Sequence, residues 1–155
     1  MNKKLLFGMI PLLIVGYYLF QNLSGNTDAM LSYLEESGEI TIEYNLLTQQ
    51  ESEIEDEEEL VSFTNEVLIP TLEEIIAKSK AYGETIEKEE LKEVHNIYDE
   101  SLKKHLDAEF AWLEGKEDEA SMFYEESSEI YSNYEVSLEK LAKKWGVEIE
   151  WEEAQ

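Results

Sequence analysis

Apolar residues in the last third of the chain recur at steps of three and four. Ala120, Phe123, Ser127, Ile130, Tyr134, Leu138, Leu141 and Trp145 make one continuous stripe. The pattern predicts a helix from about Lys116 to Trp145. Lys140, Lys143 and Lys144 fall in its last turns, where cations complement the helix dipole. Gly146 is placed to terminate it in a left-handed conformation. A second stripe, Leu91, Val94, Tyr98, Leu102, His105, Glu109 and Trp112, is widened by Ile97, Leu106, Phe110 and Leu113. It predicts a helix from Ile86 to Glu114, with Thr85 as N-cap and Gly115 as terminator. The short connection at Gly115 makes these two helices an antiparallel hairpin.

Upstream, Ser52 and Glu55 have the spacing of a capping box. Leu60, Phe63, Val67, Leu68, Leu72, Ile75 and Ile76 follow as a third stripe ending near Gly83, with Pro70 inside it as a kink. A first helix starts after Thr27 with Met30, Leu31 and Leu34, and Gly38 is a point of interruption. Residues 40–44 alternate as a strand would, yet Ile40, Tyr44 and Leu47 also fit helical spacing. No second convincing strand is there to pair, so helix is preferred over 39–47. Residues 147–151 also alternate, and read as a short β-like stretch or an extended tail. The fold class is all-α: three or four helices in an up-down antiparallel bundle, behind a separate N-terminal segment.

That segment is residues 1–25, and the bundle is 26–155. Lys3 and Lys4 precede an apolar run from Leu5 to Phe20, with Tyr17 and Tyr18 near its outer end. A good cleavage site is missing, so the run reads as an uncleaved signal-anchor, with cleavage and secretion as the alternative. Two lysines precede the run and the next is Lys78, which puts the N-terminus inside and the bundle outside the cell membrane.

Composition narrows the function. The 155 residues carry 37 acids and 12 basic residues, a formal net charge of -25. Every basic residue is lysine, and there is no cysteine. Thiolate metal sites, disulfides and cysteine nucleophiles are therefore excluded. The charge argues against nucleic-acid binding. Phosphate loops, Gly-x-Ser-x-Gly and His-Glu-x-x-His are all lacking. No enzyme activity and no cofactor are expected.

Three clusters remain. His95 with Asp99, and His105 with Glu109, are each spaced four apart on one helix, as divalent-metal ligands can be. The two histidines lie ten positions apart, so one ion cannot readily take both. The Glu-x-x-His pattern of di-iron bundles is absent. Glu51–Glu59 holds seven acids in nine residues but lacks the spacing of a calcium loop; it reads first as a solvated turn and helix start. Tyr124, Tyr131, Tyr134, Trp112, Trp145 and Trp151 make the hairpin aromatic-rich, and such rings are read as core before groove.

Lys3-Lys4, the lipobox-like Leu23-Ser24-Gly25 and the run from Leu138 to Val147 together resemble a loose group of small exported helical proteins and lipoproteins of Gram-positive, Bacillus-like bacteria. Asn26 stands where a lipobox would have cysteine, so no lipid anchor is implied. The resemblance implies an outward-facing helical protein without an assigned activity. The leading functional expectation is a non-enzymatic, membrane-anchored bundle that binds a protein or cationic peptide. The alternatives are a divalent-metal-binding envelope protein using His95, Asp99, His105 and Glu109, or a purely structural one.

Overall fold

The computed structural model describes residues 13–14 and 25–151. Among these the chain is helical almost throughout. Helix α1 spans Gly25–Ser52, α2 Glu57–Phe63, α3 Ile69–Thr85, α4 Glu89–Leu113 and α5 Glu117–Lys144. A π-helical turn, Thr64–Leu68, carries α2 into α3 without a break, so the chain makes four rods. The signal-anchor helix expected over 1–25 lies outside the described residues, save Gly25, which opens α1, and Leu13–Ile14. Leu13 and Ile14 pair antiparallel with Glu150–Trp151 in a two-residue bridge, the short β-like option for the tail. No described helix is long and apolar enough to cross a membrane.

Residues 39–47 are helical, and α1 passes Gly38 uninterrupted. The helical spacing wins because Ile40, Tyr44 and Leu47 all reach the core, while Ile42 stays exposed. Two predicted caps move. Ser52 ends α1, its hydroxyl donating to the Gln49 carbonyl, and the cap of α2 is Asp56, whose side chain accepts from the Glu59 amide. Thr85 ends α3 and donates to the Tyr82 carbonyl, whereas α4 starts behind Lys88. In both places the hydroxyl bonds backward to a carbonyl three residues earlier, a known competitor of capping.

Pro70 lacks the amide that an α-helix needs, and its ring crowds the carbonyl four residues back. The π turn precedes it, closed by the Ile69 amide bonding to the Thr64 carbonyl. The extra residue rotates the buried face. Thr64 and Leu68 therefore point inward, and Val67, which the stripe placed in the core, is exposed.

Gly115 and Gly146 both take positive φ and end α4 and α5 as expected. Gly83 does something else. A β-carbon there would lie 2.7 Å from Cδ2 of His95, so this position gives the imidazole its room rather than ending a helix. Small residues also bring α4 and α5 together: Ser101, Ala108, Ala111, Ala120 and Ser127 are buried, and Ser127 donates to the Ser101 carbonyl.

The main core joins Met30, Leu34 and Leu47 of α1 to Leu72 and Ile75 of α3, Leu91 and Leu102 of α4, and Leu138 and Leu141 of α5. A satellite cluster of Leu60, Ala111, Trp112 and Ala120 closes one end. Trp112, Tyr131, Tyr134 and Trp145 are buried, so most of the aromatic hairpin is core. The buried tyrosines touch one another: Tyr98 and Tyr134 centroids are 5.1 Å apart, and Tyr131 and Tyr134 5.6 Å.

This tyrosine core sets a pH limit. Burial raises the Tyr33 and Tyr98 phenols well above 10 and Tyr134 to about 12. Unfolded tyrosine ionises near 10, so between about 10 and 12 the unfolded chain binds fewer protons than the folded one. The stability these phenols give is complete below pH 10 and is lost as pH rises toward 12. Circular dichroism against pH should show cooperative unfolding in that window, with phenolate absorbance rising together with it.

Candidate metal centre

Helices α1 and α4 run parallel on a diagonal of the bundle, and long polar side chains bridge them. Two bridges repeat the same plan about ten residues apart. In each, a tyrosine of α1 meets Nδ1 of a histidine of α4, with a carboxylate four residues further along α4. Their environments differ, and so do their chemical possibilities.

The first bridge is closed. His95 is fully buried, and its Nε2 lies 2.8 Å from the Ser79 carbonyl oxygen. A carbonyl only accepts, so Nε2 carries the proton and Nδ1 accepts from the Tyr33 hydroxyl at 3.1 Å. The Tyr134 hydroxyl in turn lies 3.2 Å from that of Tyr33. Asp99 does not hold the imidazole directly: its Oδ1 is 3.6 Å from Nε2 and accepts from the Ser79 hydroxyl at 2.5 Å. Tyr82 stacks edge-on against the ring. Both ring nitrogens are thus satisfied by protein groups, and the His95–Asp99 pair reads as a core-locking network.

The second bridge differs in gathering a second carboxylate beside its histidine. His105 Nε2 lies 2.9 Å from Glu109 Oε1, so it donates to the carboxylate and Nδ1 accepts from the Tyr44 hydroxyl at 2.5 Å. The Tyr124 hydroxyl donates to the same Glu109 oxygen at 2.7 Å. Glu51, from the last turn of α1, comes to the same place. One ligand atom from each of Glu51, His105 and Glu109 lies within 4.8 Å of the other two, and all three residues are buried. Glu109 is fully buried and Glu51 nearly so. No lysine is among the buried described residues. The field of the two carboxylates reaches the neighbouring phenols. Burial first, then the charges of Glu109 and Glu51 among others, raises both Tyr44 and Tyr124 well above the ordinary tyrosine value.

The four residues singled out by spacing therefore separate. His95 and Asp99 sit about 15 Å along α4 from His105 and Glu109, taking ten residues at 1.5 Å each. Only the second pair joins a potential ligand group. Its third member, Glu51, was hidden in the acidic run, whose remaining acids, Glu53 and Glu55 to Glu59, are exposed as a solvated turn would be. The sequence does carry a signal for it: Ile40, Tyr44, Leu47 and Glu51 continue one helical stripe inward.

Two carboxylates and one imidazole suit a first-row divalent ion such as Zn²⁺, Mn²⁺ or Fe²⁺. Calcium fits poorly, because it takes six to eight oxygens. To ligate through Nε2, His105 must carry its proton on Nδ1, and the Tyr44 oxygen is placed to accept it. A hydroxyl serves either tautomer, so Tyr44 orients the ring in both. No family model matches the chain, and neither curated proteins nor solved structures provide a match.

Proposed function

We propose that the chain is a non-enzymatic, divalent-cation-binding helical bundle that holds its ion with Glu51, His105 and Glu109. The observation that carries this reading is the convergence of two buried carboxylates and one histidine nitrogen, all within 4.8 Å of one another. A divalent ion at the point where the three donors converge would be bound by coordination and by charge together. The exposed acids of the 53–59 turn lie next to Glu51 in the chain and concentrate cations from solution. With this goes the placement read from the first 25 residues, an outward-facing domain tethered to the membrane. A cationic protein partner came first on charge alone. The ligand cluster is the more specific feature and moves the ion ahead of it.

The test is thermal melting with micromolar Zn²⁺ or Mn²⁺ against NaCl of equal ionic strength. An ion at a hundred times its dissociation constant stabilises by about 2.7 kcal/mol, or on the order of 10 °C here. Salt alone should raise melting less, by screening the acidic surface. Equal rises with metal and with NaCl would refute the reading.

A further inference from the structure

Helices α1 and α5 face each other across a wide seam. The hydroxyls of Tyr33 and Tyr134 join them at 3.2 Å, yet α5 packs closely on α4 and hardly on α1. Buried polar atoms without a hydrogen bond collect on both sides of this seam. Asn45 is 9% exposed and Tyr131 5%. Neither Nδ2 nor Oδ1 of Asn45 is bonded, nor is the Tyr131 hydroxyl or Oε1 of Glu135. Gly38, Thr41 and Asn45 share one side of α1 through steps of three and four, and Tyr131 and Glu135 are one turn apart on α5. Tyr98 ties the two sides together: its hydroxyl accepts from Thr41 at 3.4 Å, and its ring centroid lies 6.2 Å from that of Tyr131. Burial first, then Tyr134, Glu135, Tyr98 and, from α1, Tyr44, raises the Tyr131 phenol, and Asn45 directly follows Tyr44. A β-carbon on Gly38 would meet nothing within 4 Å, so the seam has room there.

We infer that this seam binds a small amino alcohol, its ammonium held by Glu135, Tyr131 and Oδ1 of Asn45, and its hydroxyl oxygen by Nδ2 of Asn45. A buried carboxamide with both groups unbonded costs the fold stability, and a ligand that brings a donor and an acceptor together recovers it. The other unbonded atoms are oxygens, one of them a carboxylate's, so the ligand brings more donors than acceptors. A primary ammonium has three N–H donors and no acceptor. Its charge complements Glu135, whose carboxyl burial raises above the ordinary value, and suits a chain of formal net charge -25. The same charge disfavours a ligand that carries a carboxylate of its own. Asn45 Nδ2 then needs an acceptor beside the ammonium, which a neighbouring hydroxyl supplies. None of the three donors of the candidate metal centre takes part, so this inference stands apart from the cation reading.

The experiment titrates ethanolamine calorimetrically into the full-length chain in detergent. One saturable site is expected, with choline, which has the hydroxyl but no N–H, weaker by at least about tenfold. Asn45→Leu should lose the binding and melt no lower than wild type, because it removes the unbonded amide without opening a cavity. Glu135→Gln, at a half-buried position, should weaken binding by at least about tenfold, and serves alone if Asn45→Leu does not fold. Phosphatidylethanolamine carries the same headgroup chemistry. A melting rise in vesicles containing that lipid, absent in pure phosphatidylcholine and in Glu135→Gln, would assign the site to a lipid headgroup; saturable binding of ethanolamine without that rise assigns it to a free amine. No saturable heat with ethanolamine and no lipid effect would overturn the inference and leave the unbonded atoms to water. Equal binding by wild type and both variants, or by choline, would overturn it as well.

Discussion

Replacing His95 by alanine is expected to cost about 3–5 kcal/mol of stability and leave metal binding intact. The residue is fully buried, so its loss opens a cavity between α1, α3 and α4. It also strips partners from the Tyr33 hydroxyl and the Ser79 carbonyl, groups whose desolvation costs are then unmet. Urea denaturation should show the midpoint falling with little change of slope. The Zn²⁺-induced rise in melting should keep its size, because His95 lies about 15 Å along the helix from the ligand group. His105→Ala should do the opposite: a smaller stability loss and no metal response. A loss of metal response in His95→Ala would mean that the two bridges are not independent.

The second large effect has the opposite sign. Glu51→Gln should stabilise the metal-free protein by about 1 kcal/mol, or a few degrees of melting temperature, while abolishing its metal-induced rise. The substitution keeps the shape of the side chain and one of its two acceptor oxygens. It removes one of two like charges that converge on His105 in a low-dielectric interior. A functional site that costs stability is the usual result when charges are held together for a ligand. If the carboxylate instead serves only the fold, Glu51→Gln should lower the melting temperature, and the metal response should not change.

Much of this was readable before the structure. The stripes on α4 and α5 placed His105 and Glu109 on the buried side, and a carboxylate within an apolar stripe is itself a signal. Gly115 and Gly146 marked helix ends correctly, because each sits where only a residue tolerant of positive φ can turn the chain. Residues 39–47 could be assigned to helix because a strand there would have had no partner. The misreadings share a cause: each was settled by contacts remote in sequence. Periodicity alone cannot foresee the π turn, so Val67 was placed inward and Thr64 overlooked. Gly83 looked like punctuation, but a histidine twelve residues later needs its space. Thr85 and Ser52 looked like caps, but each bonds to a carbonyl of the helix it ends. Glu51 was counted with the solvated acids because its charge resembled theirs; only the diagonal pairing of α1 with α4 brings it to His105. The same pairing separates two histidine–carboxylate spacings that look alike in the sequence, one satisfied by Ser79 and Tyr33, the other facing a second carboxylate.

The claim at the centre is that one ion binds inside the bundle, and stoichiometry tests it most directly. The full-length protein is equilibrated with Zn²⁺ or Mn²⁺, passed through a desalting column and measured for metal and protein together, beside Glu51→Gln and His105→Ala. One ion per wild-type chain, with neither variant retaining it, is the predicted result. Loss of all metal on the column, or equal retention by wild type and variants, would place any binding on the acidic surface and contradict the account.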